Sequence, residues 1–506
     1  MHIVRARRPL IGLLVAAALL TFASALPRLE ASARQARGGA EPDLGKGGTT
    51  AALHAPVGKP SPAVIPPPPG ATVTRMGFCG GDDWEPDIST SGTYVYVVWT
   101  HYAGNTACDA ASGLENRRVY IEVSSDGGAT FGQPHVVAET PGGKNYPSQV
   151  DSTITVSDNG NVYVGILAYG LSGSKFDVAV ARSQDHGATF PLTRIINGGS
   201  GCVSCDHEFG VAKGNDVYFA YTHGKDHFIS HSSDGGLTWT EAKVATYDVV
   251  GFAEDGVIDG SGNAWFAWAD CQSSNCTGSP ASDYRVSKTL AGTTTTTFSP
   301  IIGQSPQGPP CPYSSCGFAY FGAQDDIAID AAGTLYLAYQ DGQSHTTQKS
   351  PTVIQLSKCS ANCTAGGWTA VGRVDDKTAQ NCTSGNCYAL YPRIDAGAAG
   401  TLTAMWMDDR NDSIDGVTDH VDGWNVYTRT STNGGATWTT PGTQLSVYDP
   451  TQAQSRPNGF LFPYGDYMDL AKAPACPGKY AYTWGEGFNW VGGATNPGHV
   501  EFRSTC

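Results

Sequence analysis

Acidic and imidazole side chains recur at matching places along this chain of 506 residues. Seven short apolar runs can be aligned: Tyr96–Trp99, Tyr163–Ile166, Tyr218–Tyr221, Trp265–Trp268, Tyr336–Tyr339, Thr403–Trp406 and Ala481–Trp484. Two residues beyond them stand His101, Ala168, His223, Asp270, Asp341, Asp408 and Glu486. Ahead of them stand Asp83, Glu85 and Asp87; Gln149 and Asp151; Asp206, His207 and Glu208; Glu254 and Asp255; Asp325 and Asp326; Arg393 and Asp395; and Asp466 and Asp469. Side chains of this type can do three things. They can accept N–H groups from the next repeat as a structural ring. They can work as acid/base pairs. They can hold an oxygen-liganded cation such as calcium.

The elements that must place these residues are short strands. Each run reads as a second strand, preceded by a turn and a first strand, and followed by a third such as Arg118–Ser124 or Trp424–Ser431. After four of the third strands comes one octet: Ser124–Phe131, Ser183–Phe190, Ser232–Trp239 and Ser431–Trp438. Its Asp (Asn433 in the last copy) can accept turn N–H groups, its glycines can take positive φ, and its aromatic packs the turn down. Units four and five have degraded turns, the latter around Cys359 and Cys363. Seven such units predict an all-β propeller, with Ala71–Met76 supplying the fourth strand of the last unit. Six blades is the alternative count.

The octet S-x-D-x-G-x-T-[WF] resembles the Asp-box of sialidases and their bacterial neuraminidase-repeat (BNR) relatives. In that family the box is a structural turn, remote from the catalytic face. The sixth unit, Tyr391-Pro-Arg393-Ile394-Asp395 through Gly400-Thr401-Leu402 to Asp408-Asp409-Arg410, resembles the first blade of a sialidase. The resemblance implies that Arg393 and Arg410 bind a substrate carboxylate, which the planar guanidinium fork suits. It implies Asp415 or Asp412 as acid/base, Arg456 or Arg117 as a further arginine, and Tyr464 with Glu486 as nucleophile and base. Here Asp395 replaces the family's proline, and the unit lies late in the chain. The alternative role for Arg393 and Arg410 is pairing with Asp395, Asp408 or Asp409 as a blade staple. Sialidases have six blades, so a count of seven departs from them.

Three functions follow as expectations. The first is a sialidase-like glycoside hydrolase acting on terminal acidic sugars. The second is a non-catalytic propeller binding glycans or proteins at the cell surface. The third is a glycosidase or lyase of other polysaccharides that uses the acidic face. No cofactor is required by these residues, and calcium is an option. The partner is a glycan or glycoconjugate, and the protein is expected to be a monomer.

Residues 1–25 read as a signal peptide: Arg5, Arg7 and Arg8, an apolar stretch from Leu10 to Phe22, then Ala23-Ser24-Ala25. The apolar stretch is too short to span a bilayer, and no other segment is apolar enough. Removing it takes away three arginines and no acid from a formal net charge of −15. So acidic a chain repels nucleic acid and anionic membranes. Residues 26–70 are rich in Pro, Gly and Ala and read as a linker; 71–506 form the propeller. The 14 cysteines are even in number. In an exported chain, secreted or periplasmic, they imply disulfides between sequence neighbours, such as Cys202/Cys205, Cys382/Cys387 and Cys476/Cys506.

Overall fold

The computed structural model describes residues 73–506 except 78–81, 103–116, 171–174, 199–201, 248, 273–279, 306–323, 343–350, 361–362, 364–365, 379–381, 383–386, 412–423, 447–466, 474 and 488–497. The described strands form seven antiparallel sheets around one axis. Taking blades 1 to 7 in chain order, the inner strands are Asp82–Ser91, Ser148–Val156, Cys205–Lys213, Gly251–Ile258, Asp325–Ile329, Ala389–Ala396 and Met468–Lys472. Each inner strand packs on the next, and the last packs on the first, so the ring is closed. The seven-bladed propeller is borne out, with one addition: blade 4 carries an extra strand, Gly303–Ser305, paired with Ser282–Thr289.

The seam is closed as anticipated. Val73–Met76 pairs with Gly498–Ser504 as the outermost strand of blade 7. Chain segments from both sides of the propeller thus share one sheet.

Burial follows from stacked sheets. The second strand of blade 2, Val162–Tyr169, is buried at every position, because neighbouring blades cover both its faces. The outermost strand of blade 3, Thr240–Thr246, is mostly exposed or half-buried. Trp99, Trp268, Trp406 and Trp484, two or three residues before the ends of their second strands, are fully buried.

The Asp-box turns repeat one hydrogen-bond pattern. In blade 1, Thr130 N–H and Oγ1 donate to Asp126 at 2.8 and 2.6 Å, and Gly128 N–H donates to Ser124 Oγ at 2.9 Å. In blade 6, Thr437 N–H donates to Asn433 Oδ1 at 2.9 Å. There the Asn433 amide donates to Thr437 Oγ1 at 2.8 Å, so the second bond is reversed. The paired glycines are needed for approach as well as for φ. A Cβ on Gly128 (φ +90) would sit 2.7 Å from Phe502 of blade 7, and one on Gly435 (φ +84) 2.3 Å from Leu356 of blade 5. Each box therefore presses on the preceding blade.

The fifth blade replaces its box with the disulfide Cys359–Cys363. Cys202–Cys205, Cys382–Cys387 and Cys476–Cys506 are also bonded. Cys271 is disulfide-bonded too, while Cys79, Cys108, Cys276, Cys311 and Cys316 lie outside the described residues.

Candidate functional site

The two faces of the ring differ. Antiparallel pairing brings the start of each inner strand beside the end of the second strand, as in Asp83 opposite His101 and Ala389 opposite Asp408. The Asp-boxes lie at the other end of the sheets. The described ends of the second strands and starts of the third strands lie on the face away from the boxes, and in sequence segments 103–116, 273–279, 343–350, 412–423 and 488–497 connect them.

The inner strands enter from that face through a repeated irregularity. Pairing shifts between Trp84 and Asp87, Val150 and Thr153, Asp206 and Phe209, and Leu390 and Arg393. At these bulges Glu85, Asp151, His207 and Tyr391 all take φ between 51° and 58°, a region few non-glycine residues adopt. The bulge turns the following side chains to the axis. Asp87, Ser152, Phe209, Asp255, Arg393, Tyr467 and Asp469 line a narrow cavity there. Tyr467 of blade 7 reaches the opposite wall, its ring 5.0 Å from that of His207 and 6.0 Å from that of Phe209.

Several of the recurring acids tie one blade to the next. Asp87 accepts N–H bonds from Ile88 and from Ile154 of blade 2, both at 2.7 Å. Asp326 does the same for Ile327 and for Ile394 of blade 6. Glu85 accepts from Asp151 N–H at 3.0 Å, and Asp395 from Lys472 N–H at 3.0 Å. A structural ring is the arrangement these four residues adopt.

Arg393 sits in this shaft, 3% exposed. Its Nε donates to Met468 O, and Nη1 lies 3.4 Å from Asp325 O. Burial works against its charge, yet Asp326, Asp469, Glu254 and Asp255 hold its pKa above the ordinary value. Asp325 carries a fully buried carboxyl with no hydrogen-bond partner, as does Glu208. Burial, reinforced by neighbouring acids, pushes both well above the usual range.

Arg410 lies where the second strand of blade 6 ends. Its Nε and Nη2 donate to the two oxygens of Asp408 at 2.8 and 2.7 Å. Nη2 also donates to Asp376 at 2.8 Å, and the guanidinium stacks 3.8 Å from the Tyr427 ring. Asp376 in turn accepts from Gly442 N–H at 2.6 Å. Burial disfavours the charge of Arg410, but the bonds and field of Asp408 raise its pKa overall. Arg117 donates to Tyr169 Oη of blade 2 at 2.8 Å, on the side of blade 1 away from blade 7. Glu486 belongs to the second strand of blade 7, opposite His499, with its side chain outside the described residues. Asp412, Asp415, Arg456 and Tyr464 also lie outside them.

Other predicted positions form pairs between strands and blades. Asp83 accepts from Trp99 Nε1 at 3.0 Å and contacts His101 Nδ1 at 2.7 Å. His227 Nε2 lies 2.8 Å from Asp270 Oδ1, off the line of a hydrogen bond. The other Asp270 oxygen takes Arg285 Nη1 at 2.6 Å, and Arg285 also reaches Asp283 at 3.1 Å. Sequence reasoning missed His227, Arg285, Asp376 and Tyr427. Tyr427 was findable, since a third-strand residue must face Trp406. Asp376 sits in a connection with no motif. Among the described residues, no three His, Cys, Asp or Glu side chains are arranged to hold a metal ion.

Residues 98–291 match a family model described as a BNR repeat-like domain, in agreement with the resemblance read from the four turns. No curated protein matches the chain in sequence. Among solved structures, a Hadza microbial sialidase is 12% identical, with a TM-score of 0.43 over 84% of this chain. This chain spans 65% of that protein's length. An ulvan lyase from a polysaccharide lyase family is 11% identical, at a TM-score of 0.47 over 84% of this chain and 95% of its own. The phage phi92 endosialidase is 11% identical, at 0.48 over 86% and 69%.

Proposed function

We propose that this BNR-type propeller is an exported, glycan-directed protein of sialidase-like build. It works through the loop-bearing face, and holds its ligand there without hydrolysing a sialoside through Arg393 and Arg410. The supporting observation is the engagement of Arg410. Both oxygens of Asp408, one of Asp376 and the Tyr427 ring already surround its guanidinium. A ligand carboxylate would have to displace a charge-assisted fork of the very type it offers. Arg393 is deeper still, among shaft acids and main-chain carbonyls. Disulfides such as Cys476–Cys506 suit an oxidising compartment.

The second reading is hydrolysis or elimination at the same face, on acidic or other polysaccharides. It is supported by the strand carrying Glu486, which ends on the same face, and by the sequence position of Asp412 and Asp415 shortly after Arg410.

The test uses residues 26–506 on a glycan array and on a panel of fluorogenic sialosides, with and without calcium, beside Arg410→Ala. Array binding without sialoside release is expected. Release by the wild type that disappears in Arg410→Ala would overturn the proposal and establish the sialidase reading. Calcium-dependent cleavage of another polysaccharide would select the second reading.

A further inference from the structure

The shaft contains two carboxyl–carboxyl contacts that no site for a glycan explains. Asp469 of blade 7 is hydrogen-bonded to Asp87 of blade 1, and Asp255 of blade 4 to Asp326 of blade 5. Asp87, Asp255 and Asp469 line the axial cavity together with Arg393. Two ionised carboxylates offer only acceptors, so each contact needs one proton. The backbone says which partner carries it. Both oxygens of Asp87 already accept N–H groups, from Ile88 and Ile154, and both of Asp326 accept those of Ile327 and Ile394, so the shared proton sits better on the other carboxyl of each pair. Asp469 and Asp255 are then the donors.

We propose that these two protons are clasps of the ring: the Asp469 proton ties the inner strand of blade 7 to that of blade 1, the Asp255 proton ties blade 4 to blade 5, and their loss as pH rises loosens the inner strands. This does not depend on what the loop-bearing face binds.

The surroundings are already acidic. Around the shaft lie Glu85 of blade 1, His207 and Glu208 of blade 3, Glu254 of blade 4 and Asp325 of blade 5. Blade 6 contributes Arg393 and Asp395, and blade 7 Tyr467 and Lys472. Lys472 is occupied by Asp395, 3.2 Å away, and Arg393 already stands among four acids. Deprotonation would put like charges in contact with one guanidinium between them. Consistent with this, burial first and then the neighbouring carboxylates push Asp469 and Asp255 well above the ordinary value.

A carboxyl whose pKa is raised by folding binds its proton more tightly in the native state. Its contribution is present in acid and is lost as pH rises above the ordinary carboxyl value of about 4. Within that window each proton changes the folding equilibrium by up to about tenfold per pH unit.

The experiment compares wild type, Asp469→Asn and Asp255→Asn by denaturant unfolding from acidic to alkaline pH, with amide exchange at the inner strands Asp82–Ser91 and Met468–Lys472. Asparagine keeps a donor toward the partner but does not titrate. Wild-type stability should fall as pH rises above about 4, and each variant should be flatter by one proton. Protection of these amides, corrected for the intrinsic rise of exchange with pH, should fall with pH in wild type and not in Asp469→Asn. Equal slopes in all three proteins would overturn the proposal. If Asp469→Asn fails to fold, Asp255→Asn carries the slope test. Infrared detection of protonated carboxyl at neutral pH, reduced in that variant, supports the clasp, and absence of the band in wild type rejects it.

Discussion

Arg410 is held by two carboxylates and a phenol ring, and its buried fork has a defined energetic consequence. Truncation to alanine leaves Asp408 and Asp376 without their cation in a largely dry site. Losing one member of such a pair costs about 3–5 kcal/mol. We expect Arg410→Ala to lower the unfolding midpoint accordingly in denaturant titration. Arg410→Lys should fall between, since lysine restores the charge but cannot satisfy both oxygens of Asp408. If Arg410→Ala were neutral for stability, its internal pairing would be incidental and the guanidinium available for a ligand. The sequence left two roles open for Arg410, a ligand carboxylate or an ion pair with Asp408 or Asp409, and could not choose between them. The deciding partner, Asp376, arrives from another blade along a segment without a pattern.

At the scale of the element, the Asp-box was fully legible. Octet spacing alone placed the turn, its acceptor and its packing aromatic. The acids of the boxes titrate oppositely to those of the shaft. Hydrogen bonds from Ser183 and Thr189 hold Asp185 at about 2, and Thr238 foremost holds Asp234 at about 2. A lowered folded pKa means stability that is complete above the ordinary value of about 4 and is lost as pH falls toward the folded one. Asn433 shows that the turn can form without a charge. Asp185→Asn should therefore keep its neutral-pH midpoint and lose part of the acid-side fall, while Asp185→Ala should lower the midpoint throughout. Thermal scans at neutral and strongly acidic pH distinguish them; an unchanged acid limb in Asp185→Asn would refute the assignment. The inner-strand bulges were not legible. Glu85, Asp151, His207 and Tyr391 occupy left-handed positions without being glycine, and cross-blade bonds such as Glu85 to Asp151 N–H support this conformation from outside the strand.

At the scale of the molecule, the ring depends on one four-residue strand. Val73–Met76 covers the outer edge of Gly498–Ser504, and without it that edge would expose unpaired N–H and C=O groups. A chain beginning at residue 78 should show a lower thermal midpoint and faster amide exchange in blade 7 first, with blades 3 and 4 protected as before. Uniform loss of protection in every blade would mean that the ring unfolds as a single unit. The blade count was legible because every second strand carries at least one aromatic in a short apolar run, each run followed by a third strand. The carboxyl pairs inside the shaft were not, because which acids meet depends on the rotation of each blade about the axis.

The same seam sets the direction in which the protein presents itself. Val73 pairs with Arg503, close to Cys506 and its bonded partner Cys476 in the turn between Lys472 and Tyr480. That turn belongs to the Asp-box side. Whatever precedes Val73 therefore joins the disc at its rim on the box side. Anything anchored through residues 26–70 would display the loop-bearing face outward, with the point of attachment behind it.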